Sequence, residues 1–126
     1  MQKDKIRLRI ITPEKIIVDE CYKAITLPGE AGDFQLLANH ENFISQLSAG
    51  IVYTGANEDK HLSFVISRSF AKFIHEQNLC EVISEYALSM TDIKKMAKGD
   101  VTKKLANTKI ESEIQFYQFI RDYILR

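Results

Sequence analysis

Ile6, Leu8 and Ile10 alternate with Arg7 and Arg9, the period of two that sends one side of an extended segment into a core and the other into water. Pro13 stops that run. Ile16-Ile17-Val18 is a second β-branched run, and Tyr22 to Leu27 a third, ended by Pro28-Gly29. From Gly29 to Asn42 the chain reads as turn chemistry around a small apolar cluster, Phe34, Leu36 and Leu37, expected to fill the core beside Phe64 and Ile66. Gly50 to Thr54 and His61 to Ile66 flank Ala56-Asn57-Glu58-Asp59, a polar hairpin tip. Phe70, Lys72 and Ile74 alternate with Ala71, Phe73 and His75, and Leu79 to Tyr86 closes the strand-rich part. Short strands at such regular spacing predict a β-sandwich or barrel.

After Ala87 the period changes. Thr91 is a candidate helix N-cap, and Ile93, Ala97, Val101 and Leu105 recur every four residues with Met96 beside them. Gly99 lies inside that stripe and marks a place for the helix to break, and Ala106-Asn107-Thr108 reads as a turn. A second stripe runs through Ile110, Ile114, Tyr117, Ile120 and Ile124, widened by Phe116, Phe119 and Tyr123. Helices this short need a partner to be stable. The expected organisation is a β + α chain: a sandwich over residues 1–88 and an antiparallel helical hairpin over 89–126, folded down with its aromatic helix packed.

Composition narrows the function classes. The 126 residues are 45% hydrophobic and 27% charged, ordinary for a folded domain. Seventeen basic residues balance seventeen acidic ones, so no global basic field draws in nucleic acid. No apolar run reaches the roughly 18 residues that a membrane-spanning helix needs, and the start of the chain does not read as a signal peptide. The expectation is a protein kept in the compartment that makes it. Cys21 and Cys80 are then reduced, and His40, His61 and His75 lack metal-ligand spacing.

No catalytic constellation is legible. Gly29-x-x-Gly32 lacks the Lys-Ser/Thr of a phosphate loop, and no Gly-x-Ser-x-Gly elbow is present. Glu30 and Asp33 are close in sequence, but in a turn with no partner signature. The residues point to a protein that works by contact rather than by turnover.

The segment Leu27-Pro28-Gly29-Glu30-Ala31-Gly32-Asp33-Phe34, continuing through Leu36-Leu37-Ala38-Asn39-His40 to Leu47-Ser48-Ala49-Gly50-Ile51-Val52, resembles the ε subunit of F-type ATP synthases, the counterpart of mitochondrial δ. Members commonly carry Leu-Pro-Gly-Glu-x-Gly-x-Phe-Gly-x-Leu-Pro-Asn-His, and Leu8 to Glu14 resembles their opening strand and turn. The resemblance spans the chain. Departures mark a divergent member: Gln35 for Gly, Ala38 for Pro, Glu41-Asn42 for a small-residue/Pro pair, and Arg68-Ser69 where a Gly-Gly pair commonly precedes Phe-Ala.

The resemblance implies a ten-stranded sandwich and a helical hairpin on the rotating central stalk, non-catalytic, with no cofactor. Its implied partners are the γ subunit and the membrane c-ring, and through the tail the catalytic β subunits, with no nucleic acid and no insertion into the membrane. The chain is then peripheral on an energy-transducing membrane: cytoplasmic face of the inner membrane if bacterial, matrix side if mitochondrial. Asp33 matches the acidic position facing the ring and His40 a second position near that foot; Glu30 and Phe34 share the loop. Lys94, Lys95, Lys98, Lys103 and Lys104 suit a salt-sensitive regulatory contact with an acidic segment. Of the ATP-binding motif of some relatives, Asp92 remains but Lys95 replaces Arg, losing the bidentate fork, so ATP binding is not expected. The alternative reading is a stand-alone β-sandwich interaction module derived from that family.

Overall fold

The structure, a computed structural model, describes residues 4–55, 63–96 and 98–125. Ten strands precede the helices: β1 (Ile6–Ile11), β2 (Ile16–Tyr22), β3 (Ala24–Gly29), β4 (Gly32–Leu37), β5 (Phe43–Leu47), β6 (Gly50–Thr54), β7 (Phe64–Ile66), β8 (Ser69–Ile74), β9 (Leu79–Ser84) and β10 (Ala87–Ser89). Their order is β10-β7-β6-β3-β5-β8-β9-β1-β2, with β4 hydrogen-bonded to β3. All pairs are antiparallel except β1 with β9. β3 changes partner along its length: Ile25 and Thr26 pair with β6, Gly29 with β5. The sheet turns over on itself there, and its inner faces close on Ile6, Leu8, Ile25, Leu27, Phe73 and Val82.

Three strands differ from the expectation. Residues 32–37, read as turn, form β4 because Phe34 and Leu36 alternate inward against Leu27 and Ile25. Leu37, expected in the core, is 57% exposed, since adjacent strand residues point to opposite faces. β5 is hidden in sequence by Ser45 and Gln46, although Phe43 and Leu47 turn inward. β10 continues the sheet by pairing Ala87, Leu88 and Ser89 with Ile66, Val65 and Phe64. The hairpin tip at residues 56–59, with His61, Leu62 and Ala97, lies outside the described residues.

The tail has three helices. The first, α1 (Met90–Lys94), is capped by Ser89, whose hydroxyl accepts from the Asp92 N–H, and not by Thr91. The chain breaks its helix near Lys95 and resumes in α2 (Lys98–Asn107), which runs through Gly99 and includes Asn107. The last, α3 (Glu111–Phe119), passes at Ile120–Ile124 into a π-helical turn. No helix among the described residues is long and apolar enough to cross a membrane.

The helices lie on the outer face of β6, β7 and β10. Val65, Ile93, Val101, Phe116 and Ile120 form a second buried cluster, with Ile51, Leu88 and Met90 at its margin. β7 is therefore buried on both sides: Phe64 and Ile66 face the sandwich core and Val65 the tail. Full burial of such side chains contributes about 1.5–3 kcal/mol each, so the tail is held down by several kcal/mol of apolar surface.

Candidate functional site

The β3–β4 hairpin ends in a tip, Glu30–Ala31, at one end of the sandwich. Gly32 has φ +125°, and a Cβ on Gly29 would meet the Gly32 carbonyl oxygen at 2.7 Å and the Phe34 ring at 2.9 Å. Only glycine fits both places. The tip presents two exposed carboxylates, Glu30 and Asp33. Glu30 stands 3.7 Å from Arg68 of the β7–β8 turn, an exposed ion pair of little stabilising value.

Of the two expectations for Phe34, core packing and partner contact, the structure meets the first. The Phe34 ring is partly buried, lies edge-on to Phe43 at 6.0 Å and packs against the sandwich core. It anchors the hairpin and offers little to a partner. His40 lies beyond the other end of β4, separated from the tip by six strand residues, roughly 20 Å. Asp33 and His40 are thus not brought into one foot. The His40 ring sits edge-on to Phe43 (5.2 Å) and Phe73 (5.6 Å), with Nδ1 2.8 Å from the Glu41 carbonyl oxygen. Asn39 and Asn78, both left-handed (φ 69° and 50°), are joined there: the Asn39 N–H donates to Asn78 Oδ1, and Asn78 Nδ2 donates to the Lys5 carbonyl.

A second surface was not foreseen. On the outer face of β5, β8, β9, β1 and β2, one row across the strands is Gln46, Phe70, Ile83, Ile11 and Ile16. Phe70, Ile83 and Ile16 are 50%, 52% and 56% exposed. The neighbouring row is Ile44, Lys72, Glu81, Arg9 and Asp19. Asp19 accepts two hydrogen bonds from Arg7, at 2.7 and 2.8 Å, and Arg9 donates to Glu81 at 3.1 Å. The Arg7 hydrogen bonds hold the Asp19 carboxyl below its usual range. An apolar strip beside an ordered charge ladder is the anatomy of a docking face. The sequence signal was apolar residues on both alternating sets of β8, Phe70 and Ile74 against Ala71 and Phe73.

A cleft of about 620 Å³ separates the tip end of the sandwich from α3; Glu30, Arg68, Glu85, Ile110, Glu111 and Gln115 line it. Three carboxylates against one guanidinium disfavour a polyphosphate there. Asp92 and Lys95 are exposed on and just beyond α1 and do not line it. Lys94, Lys95, Lys103 and Lys104 are exposed, Lys104 with Nζ 5.9 Å from the centre of the Tyr117 ring, and Lys98 opens α2. Among the described residues no group of three or more His, Cys, Asp or Glu side chains is placed to hold a metal.

Residues 5–90 match the family model described as ATP synthase, Delta/Epsilon chain, beta-sandwich domain. An ATP synthase epsilon chain from Sulfurovum sp. (strain NBC37-1) is 30% identical over 104 residues, 82% of this chain and 77% of the relative. One from Desulfosudis oleivorans is 31% identical over 110 residues, 86% and 80% of the two chains. Among solved structures, a chain in the Euglena gracilis mitochondrial ATP synthase (OSCP/F1/c-ring, rotational state 1) aligns with a TM-score of 0.60 at 22% identity, covering 91% of this chain and 74% of that one. A chain in the Tetrahymena thermophila mitochondrial ATP synthase central stalk/c-ring aligns at 0.56 and 15% identity, covering 94% and 97%. At these identities the structural likeness speaks for the fold.

Proposed function

Because the chain belongs to the delta/epsilon chain family of ATP synthases and is a non-catalytic subunit of the rotor stalk, we propose that it joins the γ subunit to the membrane c-ring and couples ion flow to ATP synthesis. The observation that carries the reading is the apolar strip Phe70–Ile83–Ile11–Ile16 beside the Arg9–Glu81 and Arg7–Asp19 pairs. Torque transfer asks for a rigid body gripped on one broad face, and this face supplies apolar area for affinity and fixed charges for register. We assign it to the γ subunit.

The hairpin tip then meets the polar loops of the ring through Asp33 and Glu30, held stiff by the glycines and by Phe34 beneath. His40, at the opposite end of β4, lies outside that foot. The subunit is peripheral, on the cytoplasmic face in a bacterium or the matrix side in a mitochondrion. The exposed lysines of α1 and α2 suit an acidic segment of the β subunits, a contact that salt weakens.

Two substitutions test the assignment. Ile83→Lys should leave the melting temperature within a few degrees and weaken binding to the γ subunit about tenfold or more. Asp33→Cys in the assembled synthase should cross-link to a ring-subunit loop. Wild-type γ affinity for Ile83→Lys removes the face from the interface. Free labelling of Asp33→Cys by a water-soluble thiol reagent, with no cross-link, removes the foot and favours a stand-alone interaction module.

A further inference from the structure

The tail rests on the sandwich through apolar surface, which holds a helix down without fixing where it sits. One residue supplies direction. Tyr86 lies in the two-residue connection between β9 and β10; its ring stacks on Phe116 of α3, centroids 5.8 Å apart and planes 25° apart. Its hydroxyl faces Ser112 and Glu113 in the first turn of the same helix.

Tyr86 is itself held by an unusual polar core. Ser67, Ser69 and Ser84 are all buried, where serine is seldom found. The Tyr86 N–H donates to Ser67 Oγ at 3.1 Å, and the Tyr86 carbonyl accepts from the Ser84 hydroxyl at 2.8 Å and from the Ser67 N–H at 2.9 Å. The Ser67 and Ser84 hydroxyls are 3.0 Å apart, and Ser69 donates to the Ser67 carbonyl oxygen. Ser69 Oγ also lies 2.9 Å from Ser84 Oγ, and an arrangement in which each hydroxyl donates once is Ser69 to Ser67 O, Ser67 to Ser84 Oγ and Ser84 to Tyr86 O. The network ties the β7–β8 turn to the β9–β10 connection and fixes the backbone from which the tyrosine ring projects.

We propose that Tyr86 is a latch that holds the helical tail on the sandwich, and that Ser67, Ser69 and Ser84 are the positioning residues that set its strength. The two buried clusters are separate, so opening the latch lets α3 lift while the sandwich core stays closed. The tail is then a unit whose attachment is tuned at one tyrosine, a point of control independent of which partner binds the outer sheet face.

Hydrogen exchange with mass-spectrometric detection on the full-length chain tests this. Ser84→Ala should raise exchange of α3 amides about fivefold or more, the change expected for one lost hydrogen bond of ordinary strength, and leave β1 and β9 within twofold of wild type. Tyr86→Phe keeps the ring stack and loses only the hydroxyl contacts, so it should raise α3 exchange by a smaller factor with no effect on the strands. Phe116→Ala serves as the control that α3 opening is detected. If neither Ser84→Ala nor Tyr86→Phe moves α3 while Phe116→Ala does, Tyr86 is not a latch. A rise of equal size in the strands means that the serines merely hold the sandwich together, which also overturns the proposal. Should Ser84→Ala fail to fold, the Tyr86→Phe result decides alone.

Discussion

Phe116→Ala separates the two cores most sharply. Phe116 is 2% exposed, sits at the centre of the tail cluster, stacks on Tyr86 and meets Tyr117 edge-on at 5.3 Å. Truncating a buried phenylalanine costs about 3–5 kcal/mol where the site cannot collapse. The apolar attachment of the tail is itself several kcal/mol, so this loss should undock it. Phe73→Ala is the matching perturbation in the sandwich core, where Phe73 is 1% exposed and stacks with Phe43. Urea titration followed by hydrogen exchange and by far-ultraviolet circular dichroism distinguishes the outcomes. Phe116→Ala should open α2 and α3 near zero denaturant and shift the sandwich transition by less than about 1.5 kcal/mol, whereas Phe73→Ala should shift that transition by about 3–5 kcal/mol. If Phe116→Ala instead lowers one common transition by the full amount, the clusters form a single cooperative unit and the tail is not separable.

Two further outcomes follow from the strand faces. Burial pushes the Cys80 thiol up to about 12, while Cys21 is exposed on β2, so a maleimide at pH 7.5 should label one thiol in the native chain and both in denaturant; rapid native labelling of Cys80 would mean that β9 does not pack as described. The Asp19 carboxyl is held below its ordinary value of 3.8 by the Arg7 hydrogen bonds, so its contribution to stability is full above about pH 4 and is lost as pH falls through the depressed midpoint. Carbon-detected titration should give Asp19 a midpoint below 3.8, moving back toward that value in Arg7→Met.

What was legible in the sequence was whatever alternated cleanly. β1 presents one apolar and one mostly polar set, and it lies where the pattern puts it. β4 was obscured because Leu36 and Leu37 sit side by side, one inward and one outward, so the period of two dissolves into an apparent cluster. β5 was lost because its inward set includes Ser45 and its outward set Ile44, 75% exposed, the reverse of the usual partition. That inversion also hid the apolar strip on the outer face, since exposed apolar residues read in sequence like core residues. The loop motif around Glu30 to His40 was visible as a string, but its two ends proved to lie at opposite ends of a strand. Proximity along the chain says little once a strand of roughly 20 Å intervenes.

The one parallel pairing has a consequence for how the molecule comes to exist. β1 is hydrogen-bonded on one side to its hairpin partner β2 and on the other to β9, and the Arg9–Glu81 contact joins residues 72 positions apart. Such long loops are slow to close. While the chain is being synthesised, β1 and β2 emerge first yet must wait for Leu79–Ser84 before the sheet can be completed. Until then the β1 edge is a row of unpaired amides open to any passing strand, the species most prone to aggregate. The helical tail emerges after the strands and docks on β7, itself usable only once the sandwich has formed. Premature termination before Ser84 therefore yields an open-edged sheet, whereas loss of the tail alone leaves the sandwich core complete.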